Sequence, residues 1–222
     1  MLVLVACETS GTVRDAFAAA GHDAWSCDIL PADTPTTQHI QADVREVLTM
    51  KPWDMLIAHP PCTRLCNSGV RWLSAAPAGR SLADMWAELD DGAELFRAMM
   101  DADIPLIAVE NPVMHRHAKE RIWGDNWEQL SKDDGTFTRT SVQPYEFAAS
   151  VDAEDNITKR TCLWLKGLPA LTPTSCLTRE TARADIHMAS PGPDRWKLRS
   201  KFHIGIAQAM AAQWGDAKEN QL

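Results

Sequence analysis

Short apolar segments that alternate with helical patterns constrain the fold of this chain more than any other feature. Each segment is five to eight residues long and mostly hydrophobic, as is typical of strands buried on both faces of a parallel sheet. Strands that alternate with helices predict an α/β fold with a doubly wound, mostly parallel sheet. The predicted strands are Leu2–Ala6, Ala24–Asp28, Asp54–Pro61 and Pro105–Glu110.

Helical patterns lie between these strands. Residues 12–21 show one such pattern, which ends at a glycine, a common helix stop. Residues 81–103 carry apolar side chains at three- and four-residue spacing, and Ser81 and Asp84 have the spacing of a capping box. The last third of the chain is less regular. There the patterns predict strands at 142–147 and 161–167 and a closing helix at 202–214.

Composition limits the class of protein. A chain of 222 residues with 45% hydrophobic residues fits one globular domain over 1–222. No apolar run approaches the roughly 20 residues that cross a bilayer, and the apolar start is interpreted as a strand rather than a signal peptide. Six cysteines at irregular spacing do not make a disulfide scaffold. We therefore expect a cytoplasmic protein with no membrane partner.

The charge of the chain bears on nucleic acid as a partner. A formal net charge of −8 argues against tight, sequence-independent binding, which needs a broad basic surface, but it allows a local basic groove. The segment DRWKLRSKFH is the densest basic stretch, and its tryptophan can stack on a base. The alternative is a solvated basic turn before the last helix. The candidate substrate-binding residues are Arg195, Trp196, Lys197 and Arg199.

Three groups of chemically versatile residues follow predicted strands. Gly11 follows the first strand, Cys62 follows the strand that ends in MLIA, and Glu110 with Asn111 follows PLIAV. In doubly wound sheets, ligands bind at the carboxyl ends of the strands. The sequence therefore predicts an active site at this edge, built from these groups.

The segment HPPCTRLCNSG allows several interpretations. A metal site at Cys62 and Cys66 would need two more ligands, and the sequence has no second cysteine pair of this type. A redox pair usually has two intervening residues rather than three. Pro60 and Pro61 stiffen the loop and would hold one thiol at the ligand edge, which suits a nucleophile. A buried, inert cysteine remains the alternative.

Two carboxylates also have a functional and a structural interpretation. Glu110 ends an apolar strand, where a carboxylate is costly unless it is paired or active; it is either a catalytic group or a cap or salt bridge. Asp28 ends the second strand, where doubly wound proteins place an acid on a ribose hydroxyl pair. The alternative for Asp28 is an ordinary loop aspartate.

These motifs resemble those of the DNA cytosine-5 methyltransferase family. The loop PPCTRLCNSG is similar to the Pro-Pro-Cys loop of the family, and PLIAVENP is similar to its Glu-Asn-Val strand. The segment CETSGTVRDAFAAAG resembles the family's glycine-rich first loop, and FHIGIAQAMA resembles its closing helix. The matching positions are Gly11, Phe17, Gly21, Pro60, Pro61, Cys62, Gly69, Pro105, Glu110 and Asn111.

The resemblance implies a Rossmann-like methyltransferase fold that uses S-adenosylmethionine and acts on DNA. It implies that Cys62 adds to carbon-6 of cytosine, that Glu110 holds the ring, and that Asn111 and Arg160 support them. Methyl transfer to carbon-5 then follows on a base that is flipped out or single-stranded. The implied residues of the donor site are Cys7, Glu8, Ser10, Gly11, Thr12, Asp28, Ile29, Asp43, Pro60 and Ile206.

The chain also departs from the family pattern. Thr9 and Thr12 stand where the first loop has glycines, and Ile206 replaces an asparagine, so the donor pocket is expected to be reshaped. The family inserts a large target-recognition region, whereas here about 167–200 forms a reduced segment. The resemblance is thus to a compact, phage-like member with a short or single-stranded target, or one whose target a protein partner chooses.

Two other functions remain open. Methyltransferases that act on amino groups share the fold but carry Asp/Asn-Pro-Pro-aromatic in the same loop, where this chain has His59 and Cys62. A catalytically silent binding protein on the same fold would suit the acidity of the chain, but the presence of both Cys62 and Glu110 argues against it.

Overall fold

The computed structural model describes residues 1–184 and 202–217. In these ranges, seven strands form one sheet in the order β3-β2-β1-β4-β5-β7-β6. Strands β1 to β5 pair in parallel, and β7 is antiparallel to both β5 and β6. The strands are β1 Leu2–Ala6, β2 Asp23–Asp28, β3 His39–Gln41, β4 Met55–Ala58, β5 Leu106–Pro112, β6 Thr138–Val142 and β7 Thr161–Lys166.

Helices cover both faces of the sheet and enclose two apolar cores. Side chains of α2, α3 and α4 pack in one core, and side chains of α1 and α6 pack in the other. The structure therefore confirms the α/β class and the doubly wound, mostly parallel sheet, and it agrees with the Rossmann-like fold that the resemblance implies. The described helices are α1 Thr12–Ala19, α2 Val44–Val47, α3 Leu82–Met100, α4 Arg116–Trp123, α5 Trp127–Leu130 and α6 Ile204–Trp214.

Local signals set the start of α3 as predicted. The Ser81 hydroxyl accepts a hydrogen bond from the Asp84 amide at 3.1 Å, and the Asp84 carboxylate accepts one from the Ser81 amide at 2.9 Å. This reciprocal capping box satisfies two amides that would otherwise lack partners at the helix start. The long helix that it begins packs against the sheet beside the strand that carries Glu110.

The predicted strand at 142–147 is wrong. Strand β6 ends at Val142, and Pro144–Glu146 forms a 3₁₀ turn, because a proline has no amide to donate to a strand ladder. The Gln143 amide donates instead to the Glu146 carboxylate at 2.7 Å. The predicted strand at 161–167 and the closing helix are confirmed as β7 and α6.

The predicted substrate-binding segment lies largely beyond the described residues. Arg195, Trp196, Lys197 and Arg199 all fall in the range 185–201, which the structure does not describe. In the part of the chain that is described, no helix combines the length and the hydrophobicity that crossing a membrane requires.

Candidate active site

The carboxyl ends of three neighbouring strands bring the predicted site together. In the sheet register, Ala58 of β4 pairs with Ala6 of β1 on one side and with Val109 of β5 on the other. The next residue of β4, His59, continues this row, and its amide donates to the Ala6 carbonyl at 3.0 Å. His59 and Glu110 therefore lie side by side at the ligand edge of the sheet.

The loop that carries Cys62 is fixed by its own backbone. The amides of Leu65 and Cys66 both donate to the Cys62 carbonyl at 3.0 Å, which closes a tight turn after the two prolines. A Cβ at Gly69 would lie 1.9 Å from the Thr63 carbonyl oxygen, so only glycine allows the loop to close on itself. This gives a physical reason for the glycine of the sequence motif.

The same loop is attached to the chain that follows β5. The Asn67 amide donates to the Val113 carbonyl at 3.0 Å, and the His115 amide donates to the Leu65 carbonyl at 3.1 Å. The His115 ring bonds to the Arg64 carbonyl at 2.6 Å. The loop after β4 and the end of β5 therefore form one unit, which holds Cys62 in a constant position relative to Glu110.

The thiols of Cys62 and Cys66 are close enough to influence each other's pKa. The hydrogen bond from Cys62 lowers the pKa of Cys66, and the Ser68 hydroxyl at 3.0 Å and the amides of Ser68 and Gly69 add to the effect. The hydrogen bond to Cys66, burial, and the nearby charges of Cys66 and Glu110 raise the pKa of Cys62. These opposite directions favour a thiolate on Cys66 over one on Cys62.

His59 and Glu110 form a buried polar contact. His59 Nδ1 lies 3.7 Å from Glu110 Oε2, and the side chains are only 11% and 14% exposed. The ring of Phe202 packs on the imidazole with a centroid separation of 4.4 Å. Both imidazole nitrogens are buried and have no hydrogen-bond partner among the described residues. Because such groups are costly, their presence indicates a site shaped for a polar ligand.

Asn111 lies next to Glu110 and is fully buried. Its amide nitrogen and oxygen also find no hydrogen-bond partner within the described ranges. In the register of β5 with β7, Asn111 pairs with Cys162, and Glu110 pairs with Leu163. Successive residues of a strand face opposite sides, so Asn111 faces the α3 and α4 side while Glu110 and His59 face the α1 and α6 side.

Two cations stand at the start of β7. Arg160 is exposed immediately before the strand. The positive charge of Lys159 acts on Cys62 against the factors that raise its pKa. The sequence predicted a role for Arg160 but not for Lys159. His59 and Phe202 were also not assigned to the site, although His59 stands directly before the two prolines of the predicted loop.

The loop after β1 holds most of the predicted donor-site residues. Gly11 has a φ of 73°, in the left-handed region that favours glycine, and a Cβ there would meet Arg14 Nη2 at 2.1 Å. The hydroxyls of Ser10 and Thr12 are 3.0 Å apart and partly exposed. Cys7 also has a positive φ, of 58°, which is uncommon for a residue with a Cβ.

The carboxylate of Glu8 is hydrogen-bonded within the protein. It accepts hydrogen bonds from the amides of Val13 at 2.7 Å and Arg14 at 3.2 Å, at the start of α1. Burial raises the pKa of Glu8, although the charge of His59 and the two amides oppose this. Glu8 therefore caps α1 from beneath the site and also contributes to the electrostatic environment of His59.

The carboxyl ends of β2 and β3 carry the other donor-site candidates. Asp28 accepts a hydrogen bond from the Leu30 amide at 2.9 Å, and Ile29 beside it is 70% exposed. Asp43 caps α2 and forms an ion pair with Arg45 at 2.5 Å. Ile206 is fully buried in the core of α1 and α6, and Pro60 is buried under the loop.

These residues fit an adenosine-type donor in part. An exposed apolar side chain next to a carboxylate suits the base and the ribose hydroxyls of such a donor, and Ile29 with Asp28 provides both. The carboxylates of Glu8 and Asp43 are already bonded within the protein. In the described residues, no group of three or more His, Cys, Asp or Glu side chains is placed to hold a metal ion.

A separate groove lies away from these residues. It has a volume of about 600 Å³ and lies between the start of α4 and the turn that leads into α5. Its walls include Arg116, Trp127 and Gln129, together with Asp125 and Glu128. None of the candidate catalytic residues lines this groove; they lie at the carboxyl edge of the sheet.

Solved structures that are similar to this chain include three methyltransferases. One is a proposed DNA modification methyltransferase encoded within a prophage, from E. coli: it is 15% identical with a TM-score of 0.48, over 86% of this chain and 55% of that one. The Entamoeba histolytica methyltransferase EhMeth is 11% identical with a TM-score of 0.43, over 78% and 56%. The S. pombe Dnmt2 methyltransferase is 13% identical with a TM-score of 0.40, over 86% and 56%.

This chain therefore spans little more than half the length of each of these structures. No protein-family model matches the chain, and no curated protein sequence matches it.

Proposed function

We propose that this protein transfers a methyl group from S-adenosylmethionine to carbon-5 of cytosine in DNA through a covalent bond to Cys62. The observation that supports this most is the union of Cys62, Glu110 and His59 at the adjacent ends of β4 and β5. Glu110 lies 3.7 Å from the unpartnered His59 ring, and its charge acts on the Cys62 thiol. A flat, polar heterocycle is a ligand that would satisfy them.

The first step activates the base. Cys62 loses its proton to solvent as its sulfur bonds to carbon-6 of the cytosine. The electron pair of the carbon-5–carbon-6 double bond moves to carbon-5 and is delocalised onto nitrogen-3. The Glu110 carboxyl group donates its proton to nitrogen-3 and accepts a hydrogen bond from the amino group, which stabilises the developing charge in a buried site.

The second step moves the methyl group and restores the base. S-adenosylmethionine, when bound, supplies the methyl group as an electrophile on a positively charged sulfur. Carbon-5 takes the methyl group and then loses its proton to water, and the returning electron pair expels the Cys62 sulfur. Nitrogen-3 returns its proton to Glu110, and Cys62 regains a proton from solvent, so the enzyme is restored and the net release is the one proton from carbon-5.

The remaining residues hold these groups in place. Asn111 stands at the junction of β5 with the Cys62 loop and would orient that loop when its amide is satisfied. Arg160, exposed at the start of β7, would contact Glu110 or a phosphate of the DNA. Asp28 and Ile29 would hold the ribose and the adenine of the donor. A base inside a duplex cannot reach Cys62, so it must be flipped out or single-stranded.

Mass spectrometry of nucleosides tests the proposed reaction. The purified protein is incubated with deuterated S-adenosylmethionine and either duplex or single-stranded DNA, which is then digested to nucleosides. We expect deuterated 5-methylcytosine with the wild type and none with Cys62→Ala. Oligonucleotides that contain 5-fluorocytosine should form a covalent adduct, because fluorine cannot leave carbon-5 as a proton does. N4-methylcytosine or N6-methyladenine as the product would refute the proposal in favour of an amino-directed reaction.

A further inference from the structure

Four cations beside the candidate site have no carboxylate partner among residues 1–184 and 202–217. Six arginines elsewhere in the chain lie in ion pairs with Asp or Glu: Arg14, Arg45, Arg64, Arg80, Arg116 and Arg121. By contrast, no ion pair between described residues involves Lys119, Lys132, Arg139 or Arg160. We call these four residues the cationic strip. In a chain with 30 acidic residues and a formal net charge of −8, unpaired neighbouring cations need an explanation.

The sheet register places the strip next to the site. Arg160 directly precedes β7, whose first residue, Thr161, pairs with Pro112 at the end of β5. Arg139 of β6 pairs with Trp164, three rows further along β7, which corresponds to about 10 Å. The strip therefore begins at the edge that carries Glu110 and runs down the outer end of the sheet.

The other two members lie against Arg139. The Arg139 amide donates to the Lys132 carbonyl at 2.7 Å, which brings the loop before β6 alongside the strand. Lys119 projects from α4, and its ammonium group lies 5.1 Å from the centre of the Trp127 ring. Burial lowers the pKa of Lys119, and the charges of Arg139 and Lys132 lower it further, against the opposing influence of Cys162 and Glu128. The cations are thus close enough to repel one another.

Repulsion of this kind is relieved by a bound anion. Lys119, Arg139 and Arg160 all act on the same buried side chain, Cys162, which lies opposite Asn111. Lys132 and Arg160 are exposed, Lys119 and Arg139 are half-buried, and the four residues are spread over α4, β6 and the segments before β6 and β7. Such a spread suits an extended polyanion with regularly spaced charges better than a single small anion.

We infer that the cationic strip binds the phosphodiester backbone of the DNA substrate and thereby guides the target strand towards Cys62 and Glu110. This inference rests on the proposed function for the choice of DNA. Lysine and arginine bind phosphate through charge-assisted hydrogen bonds, and these contacts position a nucleic acid without reading its sequence. The strip would thus supply affinity, while the choice of sequence would come from other parts of the protein.

Binding measurements with a matched control test the inference. The test variant combines Lys119→Gln with Arg139→Gln, which removes two unpaired charges. The control combines Arg116→Gln with Arg121→Gln on the same helix, where both cations are already paired with carboxylates. Fluorescence anisotropy follows the binding of labelled duplex and single-stranded DNA between 50 and 200 mM salt, and calorimetry with S-adenosylmethionine checks the integrity of each protein.

The two variants should behave differently. We expect the test variant to bind DNA about tenfold or more weakly, with the slope of log affinity against log salt reduced by about 1 to 2. The control should keep the affinity and the slope of the wild type within about twofold. Unchanged binding in the test variant, an equal loss in the control, or a wild type that binds no DNA would each overturn the inference.

The outcome is separable from that of the proposed function. Salt-dependent DNA binding that requires Lys119 and Arg139, in a protein that makes no methylcytosine, would support the strip and overturn the reaction. Methylation of DNA with full binding by the test variant would overturn only the strip. Tighter binding of an RNA of the same sequence, lost in the test variant, would overturn the assignment of the strip to DNA.

Discussion

The two halves of the ligand edge differ in whether their polar side chains have hydrogen-bond partners within the protein. In the half formed by the ends of β1 to β3, Glu8 is bonded to two amides of α1 and Asp43 is bonded to Arg45. In the half formed by the ends of β4 and β5, His59 and Asn111 are buried and have no hydrogen-bond partner among the described residues. The carboxylates of Glu8 and Asp43 in the first half are thus satisfied within the protein, whereas the polar side-chain atoms of His59 and Asn111 in the second half are not.

This difference indicates which part of the edge lowers the stability of the fold in favour of function. A buried donor or acceptor without a partner destabilises a fold by about 1–3 kcal/mol, and native proteins rarely contain several in one place. The β4–β5 half contains four such atoms within two residues. It also contains the Cys62–Cys66 pair, so reactive thiols and unpartnered polar atoms share one edge of the sheet, with His59 and Asn111 on its opposite faces.

Removal of the Cys62 thiol should have the largest effect. Cys62→Ala leaves no sulfur to bond to carbon-6, so we expect no methylated product above background in the nucleoside assay. Binding of S-adenosylmethionine should change little, because Cys62 is not among the donor-site candidates. Full activity in Cys62→Ala would contradict the covalent mechanism, and Cys176→Ala, at an exposed cysteine, serves as the control.

Glu110→Gln should have the next largest effect. The amide keeps the shape of the side chain but cannot give a proton to nitrogen-3, so the turnover number should fall by roughly 100-fold or more. The Michaelis constant for DNA should change far less, because the amide can still hydrogen-bond the base. Glu88→Gln, at a carboxylate that only pairs with Arg64 and Arg80, is the matched control. Equal turnover in Glu110→Gln and the wild type would rule out the proposed role.

Local signals explain which parts of the fold could be predicted from the sequence. The apolar run of β1 and the Ser81–Asp84 capping box act within a few residues, and both have the predicted bounds or contacts. Strand β3 has three residues, none of them buried, so its pairing with β2 left no pattern to detect. The predicted strand at 142–147 failed because its apolar and aromatic residues masked the effect of Pro144.

Features of the site that depend on distant contacts could not be predicted in the same way. The motif placed Cys62 and Glu110 at strand ends, but the contact of His59 with Glu110 depends on the register of β4 with β5. The hydrogen bond from the first turn of α1 to the Glu8 carboxylate depends on the path of the loop after β1. The lowered pKa of Cys66 follows from the interaction with Cys62, and then from the Ser68 hydroxyl and two backbone amides.

Stability measurements compare the two halves directly. Glu8→Ala removes the acceptor of two helix amides, so the free energy of unfolding should fall by about 1–2 kcal/mol. Asn111→Leu replaces an unpartnered amide with an apolar group of the same shape, so it should leave the free energy unchanged or raise it slightly. Urea unfolding of the ligand-free proteins measures both. A larger loss in Asn111→Leu than in Glu8→Ala would show that the contrast between the halves is wrong.

The loss of stability in Glu8→Ala should also depend on pH. Because burial raises the pKa of Glu8, the folded protein binds more protons than the unfolded chain between the ordinary and the raised value. The stabilisation by Glu8 is therefore full below the ordinary pKa and declines as pH rises through the raised one. The difference in unfolding free energy between the wild type and Glu8→Ala should be larger at pH 4 than at pH 8. A difference that grows with pH would contradict the effect of burial.

The thiol pair should give the smallest signal, a change in ultraviolet absorbance. Because hydrogen bonds from Cys62 and the 68–69 segment lower the pKa of Cys66, the native protein should show the thiolate band near 240 nm at pH 7. The band should disappear on acidification and in Cys66→Ser. Cys27→Ser is the matched control, because burial and Asp28 raise the pKa of that thiol to about 11 and it is protonated at pH 7. A band that persists in Cys66→Ser but is lost in Cys62→Ala would place the resting charge on Cys62 and contradict the lowered pKa of Cys66.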